Sequence, residues 1–424
     1  MKKTVAFTIL GGLMLAAATF SDPGQAIPFS PDAVVAQNQN QNQRQVRPAP
    51  PTDPKAGWDV PDVSSKDSGS TIAPVEGDDG KPVIQVALLL DTSGSMSPLI
   101  DQAKTELWSI VNKLGQARYK GQTPKIEVAL YEYGKSTLER DGGYIKQLAP
   151  FTHDLDGLSE VLFALQTNGG EEYCAWAIRS ALDSLKWKSR PGSLKMVFIA
   201  GNEPFTQGPV EMGPVMKEAN TKGVLVHPIL CSTGDSSDLA SWNTAADLAN
   251  TDLKIIDHTR VVQIPKTPYD EKISKLGAEL NGTYIGYGQS GVAKMARQEA
   301  QDSNMAAAGA PMAAERSVTK ASASYSNADW DVVDRAKAEG GVGQMKDDEL
   351  PTEMRAMSVK EREAYVDKKA KERAAIQTEI NELSVKRQAY ITEKQKEAGQ
   401  TDATLGSAVI ETVRAKAQKE GFTL

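Results

Sequence analysis

The chain has 424 residues, 24% of them charged and 40% hydrophobic, with a formal net charge of −7 and two cysteines. That length leaves room for two or three domains and one large core. The acidic balance excludes binding driven by neutralisation of nucleic-acid phosphates, and two cysteines exclude a disulfide-dense scaffold or a thiolate zinc cluster.

Residues 1–26 read as a secretory signal. Lys2 and Lys3 supply the positive start, Val5 to Phe20 the apolar run, and small residues follow, with cleavage after Ala18 or after Ala26. There is no cysteine near the cleavage region to carry a lipid anchor, and no later segment is long and apolar enough to span a bilayer. The expectation is export, to a periplasm or beyond the cell. Residues 27–80 are polar, with a Gln/Asn run from Gln37 to Gln45 and prolines at 48, 50, 51 and 54. Nothing there can build a core, so a disordered linker is expected.

Residues 81–289 form the predicted globular domain. Val83 to Leu90 is a short apolar run without proline, as in a strand buried on both faces. It stops at Asp91-Thr92-Ser93-Gly94-Ser95, and a helical pattern follows from Leu99 to Leu114. A strand-to-helix turn at the carboxyl end of a parallel strand is where open α/β sheets place ligands. Asp91, Ser93 and Ser95 alternate along the turn, so one carboxylate and two hydroxyls converge. Hard oxygen donors with a single acid suit Mg²⁺. An aspartyl-phosphatase loop would need a second acid two residues after the first, and Ser93 stands there.

These residues resemble the D-x-S-x-S motif of von Willebrand factor type A (vWA) domains. The resemblance covers about half the chain. It implies an α/β fold, a doubly wound, mostly parallel, Rossmann-like sheet, and a metal-ion-dependent adhesion site (MIDAS). Mg²⁺, or Mn²⁺ or Ca²⁺, would be held by Asp91, Ser93 and Ser95. A partner protein would be captured there through an acidic residue.

Further along, Lys125 to Tyr133 reads as a second strand. Tyr144 to Phe151, after Gly142-Gly143, reads as a hairpin return and an antiparallel edge strand. Leu155 to Leu165 is a helix capped by Asp154. Next comes Thr167-Asn168-Gly169-Gly170-Glu171-Glu172, where the family carries Gly-Gly-Thr. Aligning the glycines puts Glu171 in the threonine's place. The strand Lys195 to Ala200 ends in Gly201-Asn202-Glu203-Pro204, where the family usually has Thr-Asp-Gly. Its acid is therefore missing at Gly201, and Glu203 is the nearest substitute. The Gly201-Asn202-Glu203-Pro204-Phe205 segment resembles a variant in a bacterial exported subgroup of the family. Val224 to Cys231 is a further strand, Leu239 to Asn250 a helix, and Thr267-Pro268-Tyr269-Asp270 opens another helix, with Pro at its first position. Thr283 to Tyr287 is expected to close the domain.

Cys174 and Cys231 fall near the same rim of the sheet, so a disulfide between them is expected in an oxidising compartment. His153, His227 and His258 lack metal-ligand spacing and read as structural or exposed. No P-loop, dinucleotide fingerprint or oxyanion-hole signature appears, so no enzymatic activity is expected.

Residues 290–328, rich in Ala, Gly, Ser and Met, read as a flexible linker. Residues 329–424 read as an α-helical C-terminal region. Its longest helix is opened by the capping box Ser358-Val359-Lys360-Glu361 and runs to about Gly399. Ile376, Ile380 and Leu383 keep coiled-coil spacing, but Arg373 and Arg387 interrupt the seam. A helix docked on its own chain is favoured over a coiled coil. The functional alternative to a MIDAS-type binding protein is a metal-free scaffold of the cell envelope.

Overall fold

The computed structural model describes residues 72–75, 77, 79–232, 237–262, 264–398 and 404–424, all within one unit, 57–424. The segment read as a signal, and the one read as a linker except for residues 72–75, 77, 79 and 80, lie outside the described residues.

The sheet is built around β1 (Val83–Asp91), all nine of whose residues are buried. Side chains alternate across a strand, so Ile84, Val86, Leu88 and Leu90 enter one hydrophobic cluster. Ala87 and Leu89 enter the cluster on the other face. β1 lies parallel to β3 (Lys125–Tyr133) and to β5 (Ser193–Gly201). β6 (Leu225–Cys231) and β7 (Lys254–Ile256) extend the parallel sheet beyond β5. β4 (Ile145–Thr152) pairs antiparallel with β3 at the opposite edge. The strand order is β4-β3-β1-β5-β6-β7. This is the doubly wound, mostly parallel sheet with one antiparallel edge strand that the resemblance implied.

Helices cover both faces. α1 (Ser97–Leu114) packs its Leu99, Ala103, Leu107 and Val111 stripe into the first cluster, as does α2 (Leu155–Phe163) through Leu158 and Leu162. α3 (Cys174–Ser184), α4 (Met212–Lys222) and α5 (Leu239–Ala249) close the second face. The Asp154 side chain accepts from Gly157 N at 2.8 Å and caps α2 as expected. α6 (Asp270–Asn281) starts two residues later than the proline suggested. Asp270 folds back to accept from Thr267 N and Thr267 Oγ1 at 2.7 and 2.9 Å, so Pro268 lies before the helix.

Three expectations are corrected. Ile72 is buried in the first cluster and Val75 N donates to Phe151 O at 2.8 Å, so the folded unit begins before residue 81. Residues 290–328 are not a linker: they contain α7 (Gly291–Ala307) and α8 (Ala310–Ala321). The charges of α8 concealed its buried character, because Arg316 and Lys320 are themselves buried. Small residues let it approach α6 closely; a Cβ on Gly277 would lie 2.0 Å from Ser317 Oγ. Third, Thr283 to Tyr287 does not close the folded unit: it bonds onward to residues 330 and 331, through the Gly286–Asp331 bridge and Tyr287 N donating to Trp330 O at 2.8 Å.

The C-terminal helices dock on the sheet domain. α9 (Val332–Glu339) is followed by the short α10 (Thr352–Arg355) and then by α11 (Val359–Ala398), whose capping box forms as expected. Ser358 N donates to Glu361 Oε2 at 2.8 Å, and Glu361 N to Ser358 Oγ at 3.4 Å. The two arginines that break the heptad seam fix the helix in place, so the coiled-coil reading gives way to docking on the same chain. Arg373 pairs with buried Asp331 at 2.7 Å and stacks on Tyr284. Arg387 pairs with Asp270 and Glu315, both at 2.6 Å. α12 (Leu405–Lys419) lies along α1, where Glu106 accepts from Thr404 Oγ1 and Gly406 N, both at 2.6 Å. Its tail, β8 (Phe422–Thr423), pairs with β2 (Arg118–Tyr119). Among the described residues no helix is long and apolar enough to cross a membrane.

Candidate metal centre

Asp91 is the last residue of β1 and is fully buried. The turn after it is held by both neighbouring segments: Thr92 N donates to Tyr133 O at 2.8 Å, and Asn168 N donates to Thr92 O at 3.1 Å. The Asp91 carboxylate is satisfied on one side only. Its Oδ1 accepts from Ser93 N at 2.7 Å, whereas its Oδ2 is buried with no hydrogen-bond partner. The Ser93 and Ser95 hydroxyls stand 3.5 Å apart, and Asn202 Nδ2 donates to Ser95 Oγ at 3.2 Å. Asn202 Oδ1 is a second buried oxygen without a partner. The D-x-S-x-S residues are thus brought together as the sequence suggested, and Asn202 joins them from the end of β5.

The expected carboxylate at 171 is corrected. Glu171 is exposed and accepts from the Tyr173 hydroxyl at 3.1 Å. Glu172 is the buried one. A Cβ on Gly134 would meet Asp91 Oδ1 at 2.8 Å and Glu172 Cγ at 2.9 Å, which places both acids around that glycine. Neighbouring residues of a non-helical run face opposite ways, so alignment on the glycines chose the wrong member of the pair. The acidic doublet was the visible signal; only packing decides between its members. Glu203 stands nearby, its Oε2 accepting from Gln207 Nε2 at 3.3 Å, while Gln207 Oε1 accepts from Glu172 N at 3.2 Å.

Burial pushes the Asp91 carboxyl up to about 7, against hydrogen bonds from Ser93 and with added repulsion from Glu203. Burial, then repulsion from Asp91 and Glu203, pushes Glu172 up to about 8. Oxygen donors around an electrostatically unsatisfied carboxylate are the chemistry of a hard divalent cation. The two orphaned oxygens and the two hydroxyls fit such an ion. Among the described residues, however, no group of three or more His, Cys, Asp and Glu side chains is arranged as a ready-made cage. Ligation by this set would lean on the serines and Asn202, with Glu172 and Glu203 supplying charge.

The family acid absent at position 201 has a steric counterpart. A Cβ there would lie 2.5 Å from the Tyr133 hydroxyl and 3.3 Å from Asp91 Oδ2. Tyr133, fully buried, donates to Ala200 O at 3.0 Å and fills the space. The sequence pattern gave no warning of this role for Tyr133. Gly201→Ala is expected to cost roughly 1–3 kcal/mol in a urea melt. Tyr133→Phe in the same chain should recover part of it by removing the contacting oxygen. A double variant no more stable than Gly201→Ala alone would show that the hydroxyl is not the obstacle.

Cys174 and Cys231 are buried free thiols, so the expected disulfide is not formed. They belong to the hydrophobic clusters on opposite faces of the sheet. Burial pushes both thiols up, which disfavours the reactive thiolate. His227 is buried beside Phe198 and is held down at about 3 by burial and by Lys416 and Lys254, a neutral packing residue.

No family model and no curated protein sequence matches the chain. Several solved structures do. The VWA domain of SpRpn10 is 18% identical, with a TM-score of 0.31, covering 44% of this chain and 90% of that one. The pilus adhesin SpaC of Lactobacillus rhamnosus GG, in an open conformation, is 14% identical with a TM-score of 0.31, covering 43% of this chain and 28% of that one. Proximal thread matrix protein 1 from the mussel byssus, with a zinc-occupied MIDAS motif, is 12% identical with a TM-score of 0.32, covering 41% and 42%. This chain therefore spans most of the first and less than half of the other two. The doubly wound, mostly parallel architecture stands on the strand order and register described above.

Proposed function

We propose that the chain is an exported, non-catalytic binding module that captures a partner protein at the carboxyl rim of its sheet, through a divalent-ion site built on Asp91, Ser93 and Ser95. The observation that carries this reading is Asp91 Oδ2, buried and without a partner at the end of the central strand. Leaving a carboxylate oxygen in that state is costly unless a cation or a proton meets it. Asn202 Oδ1 is the further oxygen to hand, and Glu172 and Glu203 supply negative charge around it. A bound Mg²⁺ or Mn²⁺ would offer an open coordination position to the partner. Export is supported by the Lys2-Lys3 start and the apolar run that follows it.

The test is calorimetric titration of the mature protein with Mg²⁺ and Mn²⁺, together with thermal melts. Ion binding and an ion-dependent rise in melting temperature are expected of the parent. Asp91→Ala should abolish both. The metal-free variant should be at least as stable as the metal-free parent, because a buried and repelled carboxyl has been removed.

A second reading is a metal-free scaffold with a vWA-like fold. It is favoured by the Tyr133 hydroxyl standing where a side chain at 201 would go. If the parent shows neither ion binding nor a shift in melting temperature, this second reading takes the place of the first.

A further inference from the structure

We propose that the groove between α1, α8, the second half of α11 and α12 binds a long-chain carboxylate, its anionic head at Lys113 and its acyl chain along an aliphatic wall. The groove measures about 1380 Å³ and shares no residue with the rim around Asp91. Ile255, Ile264, Val318, Val385 and Ile410 line it. Ile255 and Val385 are 47% and 72% exposed, so two large aliphatic side chains of this wall meet water. Along α11 the lining runs from Ser384 to Lys396, about 18 Å at the helical rise. An extended acyl chain laid in that trough would withdraw its own apolar surface and the wall's from water together. A peptide in the same place would bring backbone groups that need partners of their own; an acyl chain needs only the wall.

The charged lining leaves one sign unmet. Its acids are engaged within the chain. Glu106 accepts from Thr404 Oγ1 and Gly406 N, and Glu411 pairs with Lys254 at 3.2 Å. Glu315 pairs with Arg387 at 2.6 Å and accepts from Asn112 Nδ2 at 2.8 Å. Glu393, exposed near the end of α11, has Lys396 one turn away. Lys113 differs from them all. It is half-buried in the lining, and its ammonium makes no ion pair or hydrogen bond with any described residue. Arg414 on α12 acts on it as a like charge and pairs with no acid among the described residues. Burial, opposed by Glu315 and reinforced by Arg414, holds the Lys113 ammonium below its ordinary value. A carboxylate head placed there would meet both cations and give the desolvated ammonium a charged acceptor.

The experiment titrates sodium dodecanoate into the full-length protein by calorimetry, below the critical micelle concentration, with decanoate, octanoate and dodecyltrimethylammonium alongside. Saturable binding of dodecanoate is expected, weakening roughly two- to fourfold for each methylene removed. Lys113→Met should weaken it roughly tenfold or more, and Lys113→Arg should restore most of the loss. Val385→Asp puts a charge on the exposed wall and should weaken it as well. The control Val359→Asp, on an exposed valine of α11 outside the groove, should leave it unchanged. Thermal melts verify that each variant is folded. Dodecyltrimethylammonium binding as tightly as dodecanoate overturns the proposal, since the head would then not be read. So does dodecanoate binding that is indifferent to Lys113→Met, or that Val359→Asp weakens as much as Val385→Asp. Phosphatidylglycerol vesicles form the last arm: protein that sediments with them but does not bind free dodecanoate would assign the groove to a membrane lipid and sink the free carboxylate.

Discussion

Raising the pH of the metal-free protein from 5 to 8 is expected to lower its folding stability by several kcal/mol, and Asp91→Asn should remove about 3 kcal/mol of that loss, leaving the share carried by Glu172. The cause is the burial of Asp91, which lifts its carboxyl from an ordinary 3.8 to about 7, with Glu203 repulsion added. Between those two values the folded chain holds a proton that the unfolded chain has released. Each step up in pH therefore favours unfolding. The stabilisation is fully present below the unfolded value near 4 and is gone above the folded value near 7. Glu172, pushed up to about 8 by burial and by its acidic neighbours, acts in the same direction and extends the window. A divalent ion reverses the sign, because it favours the ionised carboxylates. Added Mg²⁺ should accordingly stabilise the parent more at pH 8 than at pH 5. Urea melts across this range decide the matter: a slope as steep in Asp91→Asn as in the parent would place its origin elsewhere.

Arg316→Met is expected to destabilise the protein by about 3–5 kcal/mol, the cost of breaking one partner out of a buried ionic cluster. Arg316 is 1% exposed and meets Asp156 at 2.6 Å and Asp302 at 3.0 Å. Its guanidinium lies over the rings of Trp108 and Tyr325 at 4.4 and 5.1 Å. Of the two acids, Lys320 pairs with Asp302, at 2.6 Å, so removal of Arg316 strips Asp156 of its paired cation. The Tyr325 hydroxyl donates to Asp156 and would be left as its main partner. This cluster joins α2, α7 and α8 beneath α1, so its loss should loosen the C-terminal helices together with the sheet domain. A loss of unfolding free energy under about 1 kcal/mol in urea melts would mean that these helices add little to the folding of the sheet.

The local signals that read true in the sequence were those in which chemistry and spacing lie within a few residues. The buried run of β1 followed by Asp91, Ser93 and Ser95 is one, because a strand's period and a turn's side chains are set by adjacent positions. The Asp154 cap and the Ser358-Glu361 box are two more. The site was legible as far as that turn. Its remaining members come from segments about 40 to 110 residues away. There the identity of the facing residue depends on register: Glu172 in place of Glu171, Tyr133 packed at Gly201, and Asn202 against Ser95. A one-residue difference reverses which side chain faces the site.

By itself, then, the amino-acid order determined the alternation of strands and helices, the doubly wound class, and the carboxylate and hydroxyls at the end of β1. Only the tertiary structure decided which charges are inside. In α8 and α11 the polar residues at positions 316, 320, 373 and 387 look solvated from their own neighbours. Their partners at 156, 331 and 270 lie far away in the chain, and the one at 302 lies on the preceding helix. Burial of a charge depends on whether an opposite charge arrives from elsewhere, and nothing local encodes that arrival. The same holds for the thiols at 174 and 231: residues at one rim by sequence order lie on opposite faces of the sheet once the helices are packed.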